Sequence, residues 1–104
     1  MKIIVLFNLK PGVKAEDYEA WARSRDIPVV NALTSVDSFR IFQFTGLLGS
    51  DAKPPFQYTE IIDVNNGEVF FQEIGTDSIK ALAAEFQQWA DNPLFLQTSE
   101  IRAA

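Results

Sequence analysis

The chain has 104 residues, 47% hydrophobic and 22% charged, with fourteen acidic and nine basic side chains giving a net charge of −5. These proportions predict one folded domain over 1–104 with a single core, and they exclude a disordered chain. The acidic balance, with no basic cluster, argues against nucleic acid or an anionic membrane as partner. The absence of cysteine and histidine removes disulfides, thiolate nucleophiles and the commonest metal and haem ligand.

The first element is KIIVLFN at 2–8, a continuous apolar run that reads as a strand buried on both faces. Its core IIVLF is too short to span a bilayer. One basic residue precedes it and no small-residue cleavage site follows, so a cytoplasmic protein is expected. Pro11-Gly12 turns the chain into a helix over 14–25, which places Tyr18, Trp21, Ala22 and Arg25 on one face. A short helical turn at 27–33 follows. VDSFRIFQFT at 36–45 alternates and is rich in aromatic residues, which predicts the second strand. GLLGSDAKPP at 46–55 cannot continue a ladder, and FQYTEIIDV at 56–64 is the third strand. A short helix over 67–73 stops at Gly75. Thr76 is placed to cap a longer helix carrying Ile79, Leu82, Ala83, Phe86 and Trp89, which ends at Asn92-Pro93. LFLQTSEI at 94–101 is the last strand.

The order βαββαβ predicts an α+β, ferredoxin-like domain: a four-stranded antiparallel sheet with helices on one face. The uncovered face would then expose more apolar surface than a monomer usually carries, so a homodimer packed through the sheet face is expected. If strands 2 and 3 close a hairpin with Arg40 opposite Glu60, then Phe42 faces Tyr58 and Phe44 faces Phe56. That register gathers four aromatic rings and an ion pair on one side, here assigned to the helices. It predicts a cavity lined by Phe42, Phe44, Tyr58 and Trp21, with Arg40 and Glu60 at one end. Asn8, the polar residue that ends strand 1, is available to orient a carbonyl or to close a turn. Asp26 has two competing uses. It can cap the 27–33 turn by accepting from the amide of Val29, or it can move a proton.

Taken together, LFNLKPG on strand 1, RDIP after helix 1, VDSFRIFQFTGLLG and FQYTEIIDV resemble the RedY-like proteins of the dimeric α/β-barrel superfamily. That superfamily also holds EthD-like proteins and cofactor-free ring-modifying monooxygenases. The resemblance covers nearly the whole chain and implies a dimeric α/β barrel. It also implies a role in bacterial routes to prodiginine-type pyrrole pigments or bisindoles, where some relatives are described as cyclases. Asp26-Ile27-Pro28 stands where EthD-like proteins carry His-x-Pro, which implies a polar pocket residue at Asp26.

The resulting expectation is a secondary-metabolite biosynthetic protein that binds a small aromatic heterocycle and acts on it by cyclisation or proton transfer. No cofactor and no metal are expected. Arg40 would anchor an anion, Asp26 or Glu60 would carry the proton, and Asn8, Trp21, Phe42, Phe44 and Tyr58 would hold the ring system. The alternatives are a non-catalytic carrier of such an intermediate and a cofactor-free monooxygenase.

Overall fold

The structure is a computed structural model and describes residues 1–104. The chain runs β1 (Lys2–Leu9), α1 (Ala15–Trp21), a wide helical turn (Ala22–Asp26), α2 (Ile27–Asn31), β2 (Val36–Gln43), β3 (Tyr58–Val64), α3 (Gly67–Ile74), α4 (Asp77–Trp89) and β4 (Ala90–Gln97). The four strands form one antiparallel sheet in the order β2-β3-β1-β4, so each helical connection crosses over a strand that lies between its two ends. This is the expected ferredoxin-like α+β fold.

Alternation along β1 divides the sheet into two faces. Ile3, Val5, Phe7 and Leu9 are buried under the helices, while Ile4, Leu6 and Asn8 point to the other side and stay partly exposed. Against the first face pack Tyr18 from α1, Val30 from α2, Phe70 from α3, and Ile79, Leu82 and Phe86 from α4. Phe7 is the hub. Its ring stacks on Tyr58 at 5.5 Å and meets Tyr18 and Phe86 edge-on at 5.6 and 5.0 Å.

The first helix does not stop at Arg25. It continues through the wide turn into α2, and the amide of Ile27 bonds five residues back to the carbonyl of Ala22. Pro28 supplies the reason. It has no amide hydrogen and its ring crowds the carbonyl four residues earlier, so the helix passes it by widening one turn. Asp26 is therefore helical (φ −64°, ψ −54°) and makes no capping bond, which corrects the expected N-cap. Thr76 does not cap through its side chain either, because its hydroxyl donates to the carbonyl of Glu73. Asn66 caps α3 instead, accepting from Val69 at 3.2 Å.

Two strand assignments shift. β3 begins at Tyr58, and β4 begins at Ala90 rather than 94, directly after α4. Asn92 adopts a left-handed φ of 45°, and with Pro93 it forms a bulge opposite the stretch between Leu6 and Asn8, where the β1–β4 register slips. The decisive correction lies between β2 and β3. Arg40 pairs with Ile61, Ile41 with Glu60, Phe42 with Thr59 and Gln43 with Tyr58, one residue away from the expected pairing. The connection over 44–57 is too long to set register. Burial of Phe39 sets it, helped by Asn31, whose amide bonds both the N–H and the C=O of Phe39 at 2.9 and 3.0 Å.

Candidate functional site

The one-residue shift leaves Glu60 and Tyr58 under the helices, as expected, but carries Arg40 and Phe42 out to the open face, because side chains alternate along a strand. Glu60 lies in the ladder between Val5 and Ile41 and is 5% exposed. Above it, the widened helical turn directs Asp26 inward, also to 5% exposure. The two carboxyl groups lie close enough to share a proton. Each keeps one buried oxygen with no partner, Oδ2 of Asp26 and Oε2 of Glu60, and the buried hydroxyl of Tyr18 is also unpartnered.

Two buried acids side by side cannot both ionise easily. Desolvation, then the charge of Asp26 and the shared hydrogen bond, hold the Glu60 carboxyl well above the ordinary carboxylate range. Desolvation raises Asp26 to about 6, opposed by the hydrogen bond from Glu60 and assisted by the nearby charge of Glu85. The carboxyl that keeps its proton longer is therefore Glu60, the donor of the pair, and the first negative charge falls on Asp26, the acceptor. Burial, with the charges of Glu60 and Asp26, also keeps the Tyr18 phenol protonated.

The pair opens into a cavity of about 390 Å³ between the sheet and α2, α3 and α4, within the range of small-molecule sites. Its walls are mostly apolar. Phe39 and Phe95 come from the sheet, Phe70 and Phe71 from α3, and Leu82 and Phe86 from α4, with Gln87 and Gln97 as further polar groups. Phe71 and Phe95 are 53% and 58% exposed, a large share for aromatic rings lining a cavity.

Asp26 and Glu60 are thus brought together, and several other expected site residues stand elsewhere. Arg40 and Phe42 lie on the open face, with the guanidinium 5.5 Å from the centre of the Phe42 ring. This corrects the expected Arg40–Glu60 ion pair. Phe44 lies past the end of β2, where its amide bonds the carbonyl of Gln57, and it does not line the cavity. Asn8 fastens the chain that enters β3, accepting from Gln57 N–H at 3.0 Å and donating to the Pro55 carbonyl at 3.4 Å. Tyr58 is buried under the helices as expected, and its hydroxyl donates to Glu19 at 2.7 Å. With Tyr18 it lines a second, smaller cleft of about 230 Å³. Trp21 donates to Glu85 at 2.9 Å and its ring stacks at 6.4 Å on Phe86, behind the cavity wall.

Glu85 also takes a bidentate bond from Arg25, which lowers its carboxyl to about 2 and leaves Arg25 committed. No group of three or more carboxylates gathers where a metal ion could be held. No helix is long and apolar enough to cross a membrane. The cavity walls do not follow from the expected register, which puts Phe39, the neighbour of Arg40, on the face away from the helices, or from the α4 periodicity, which marks Phe86 as core. The signal that could have found them is the α4 stripe Ile79, Leu82, Ala83, Phe86, which lines the cavity along its length.

Comparison with known proteins agrees with this architecture. The model of one family, described as REDY-like protein HapK, matches residues 1–101. Among solved structures, HapK from Hahella chejuensis is 22% identical, with a TM-score of 0.71 over 100% of this chain and 98% of the other. The Arabidopsis thaliana protein At3g17210 is 16% identical, with a TM-score of 0.82 over 99% and 97% of the two chains. A dimeric ferredoxin-like protein of unknown function from Thermobifida fusca is 14% identical, with a TM-score of 0.74 over 95% and 89%. No match was found among curated proteins.

Proposed function

The chain belongs to the REDY-like HapK family, and from that premise we propose that it is a cofactor-free enzyme that moves protons on a flat heterocyclic intermediate of pyrrole or indole type in secondary-metabolite biosynthesis. The observation that carries this reading is the Asp26–Glu60 pair: two buried carboxyl groups, each with an unpartnered oxygen, at the edge of an aromatic-walled cavity. Burying two acids without full partners lowers stability, which favours a use for them outside folding.

The pair is suited to tautomerisation, or to a ring closure driven by proton transfer. Asp26 accepts a proton from one ligand atom while Glu60 gives its proton to another, and a proton passing from Asp26 to Glu60 restores the starting state. The total proton count is unchanged and no other reactant is consumed. Phe70, Phe71, Phe86 and Phe95 would hold the ring system, with Trp21 supporting Phe86 from behind. Arg40 and Phe42 then belong to a different task, as part of an open sheet face on which a second copy sits. The apolar character of that face supports the dimer, as does the dimeric Thermobifida fusca neighbour.

The test uses Asp26→Asn and Glu60→Gln with a bispyrrole or bisindole substrate. Each variant should keep the native circular dichroism spectrum, and at least one should lose about a hundredfold or more in turnover. Full turnover in both would end the proton-transfer reading. Tight binding by the native protein without any rate enhancement would make it a carrier instead. Oxygen uptake at an electrode would identify a monooxygenase.

A further inference from the structure

The charge of the cavity restricts its ligand more tightly than its shape does. Asp26 and Glu60 are the only ionisable side chains in the lining, and no lysine or arginine is among them. The cations on neighbouring elements are occupied or remote. Arg25 is bound to Glu85 at 2.9 Å, Arg23 reaches Glu19 at 3.3 Å, Lys80 of α4 is exposed and outside the lining, and Arg40 is on the other face of the sheet. The remaining ionisable neighbours, Glu85 and Tyr18, are an acid and a phenol that stays protonated. The lining thus presents buried acceptor oxygens, a net negative charge and the electron-rich faces of several phenylalanines.

We infer that the site selects a flat nitrogen heterocycle bound as an N–H-donating cation, and rejects the same ring system bearing a carboxylate or sulfonate. This deepens the proposed function and rests on its cavity. An anionic ligand would face an uncompensated acid in a desolvated space, whereas a ring ammonium or amidinium supplies the donors that Oδ2 of Asp26 and Oε2 of Glu60 lack. The expected substrate class is accordingly a protonated or readily protonated heteroaromatic amine, with its charged nitrogen directed at the carboxyl pair.

Two probes with one ring system test this: 9-aminoacridine, a cation at neutral pH, and acridine-9-carboxylate, an anion. They are titrated by fluorescence into the full-length protein at pH 7.5 in about 0.15 M salt, where the general field of the −5 chain is largely screened beyond roughly 8 Å. The cation should bind at least about thirtyfold more tightly than the anion. In the double variant Asp26→Asn, Glu60→Gln that preference should shrink to within about threefold while both probes still bind. Native affinity for the cation should also rise as pH increases through about 6, where Asp26 ionises. Equal binding of the two probes overturns the inference but leaves the cavity reading intact, and so does a preference that survives in the double variant. Failure of both probes to bind overturns the cavity reading and the inference with it.

Discussion

On the helix-covered face of the sheet, Glu60 sits between Val5 and Ile41 at 5% exposure, with one oxygen unpartnered. Diagonally across the same two strands but on the open face, Arg40 is exposed and lies over the Phe42 ring. The covered face removes an acid from water and places a cavity beside it. The open face combines a solvated cation with Ile4, Leu6, Ile61, Leu94 and Leu96, none of them fully buried. Burial alone therefore does not explain where charge is tolerated: the buried acids stand where there is room for a ligand, and the open face is apolar where a second sheet can lie.

Three experiments sharpen that contrast. The largest difference is expected between two phenylalanines. Phe7→Ala removes the hub of the covered face and should cost about 3–5 kcal/mol in urea unfolding. Phe42→Ala on the open face should cost less than about 1 kcal/mol at concentrations where the chain is a monomer. Similar costs would mean that both faces are core. Next, Leu6→Asp places a charge at the centre of the open face. Sedimentation should show self-association weakened by at least about a hundredfold, with the fold retained; a native protein that sediments as one chain would mean that something else covers this surface.

The smallest effect separates the two charged side chains themselves. The folded-state pKa values of Asp26 and Glu60 are raised, so the native state holds more protons than the unfolded one above about pH 4. Stability should then be highest below the unfolded carboxylate pKa and decline as pH rises through about 6 and beyond, over the range in which these groups contribute. Glu60→Gln should remove much of that decline and stabilise the protein at pH 8 by roughly 1–3 kcal/mol in thermal unfolding. Arg40→Ala should leave the profile as it is.

The order and type of the elements were legible because apolar periodicity and breaker residues report them directly. KIIVLFN, the α4 stripe and the short helix that stops at Gly75 stand close to where they were expected. The pairing of β2 with β3 was not legible, because both faces of β2 carry aromatic residues and the 44–57 connection imposes no register. One step along the strand exchanged Phe42 for Phe39 and Arg40 for Ile41. The inward turn of Asp26 was equally hidden. Pro28 signals a helix boundary, yet here the helix accommodates it by widening one turn. Asp26 and Glu60 could be picked out as acids placed for chemistry, whereas their meeting depended on two geometric choices that no local pattern encodes.

The two outermost strands carry a further consequence. On β2, the Asn31 amide occupies the free hydrogen-bonding groups of Phe39, and on β4 the left-handed Asn92 with Pro93 interrupts the ladder. Each margin thus carries a local obstacle to pairing with a further strand, a device by which sheet proteins discourage edge-to-edge association. A second copy would therefore meet fewer obstacles stacked on the open face than added beside β2 or β4.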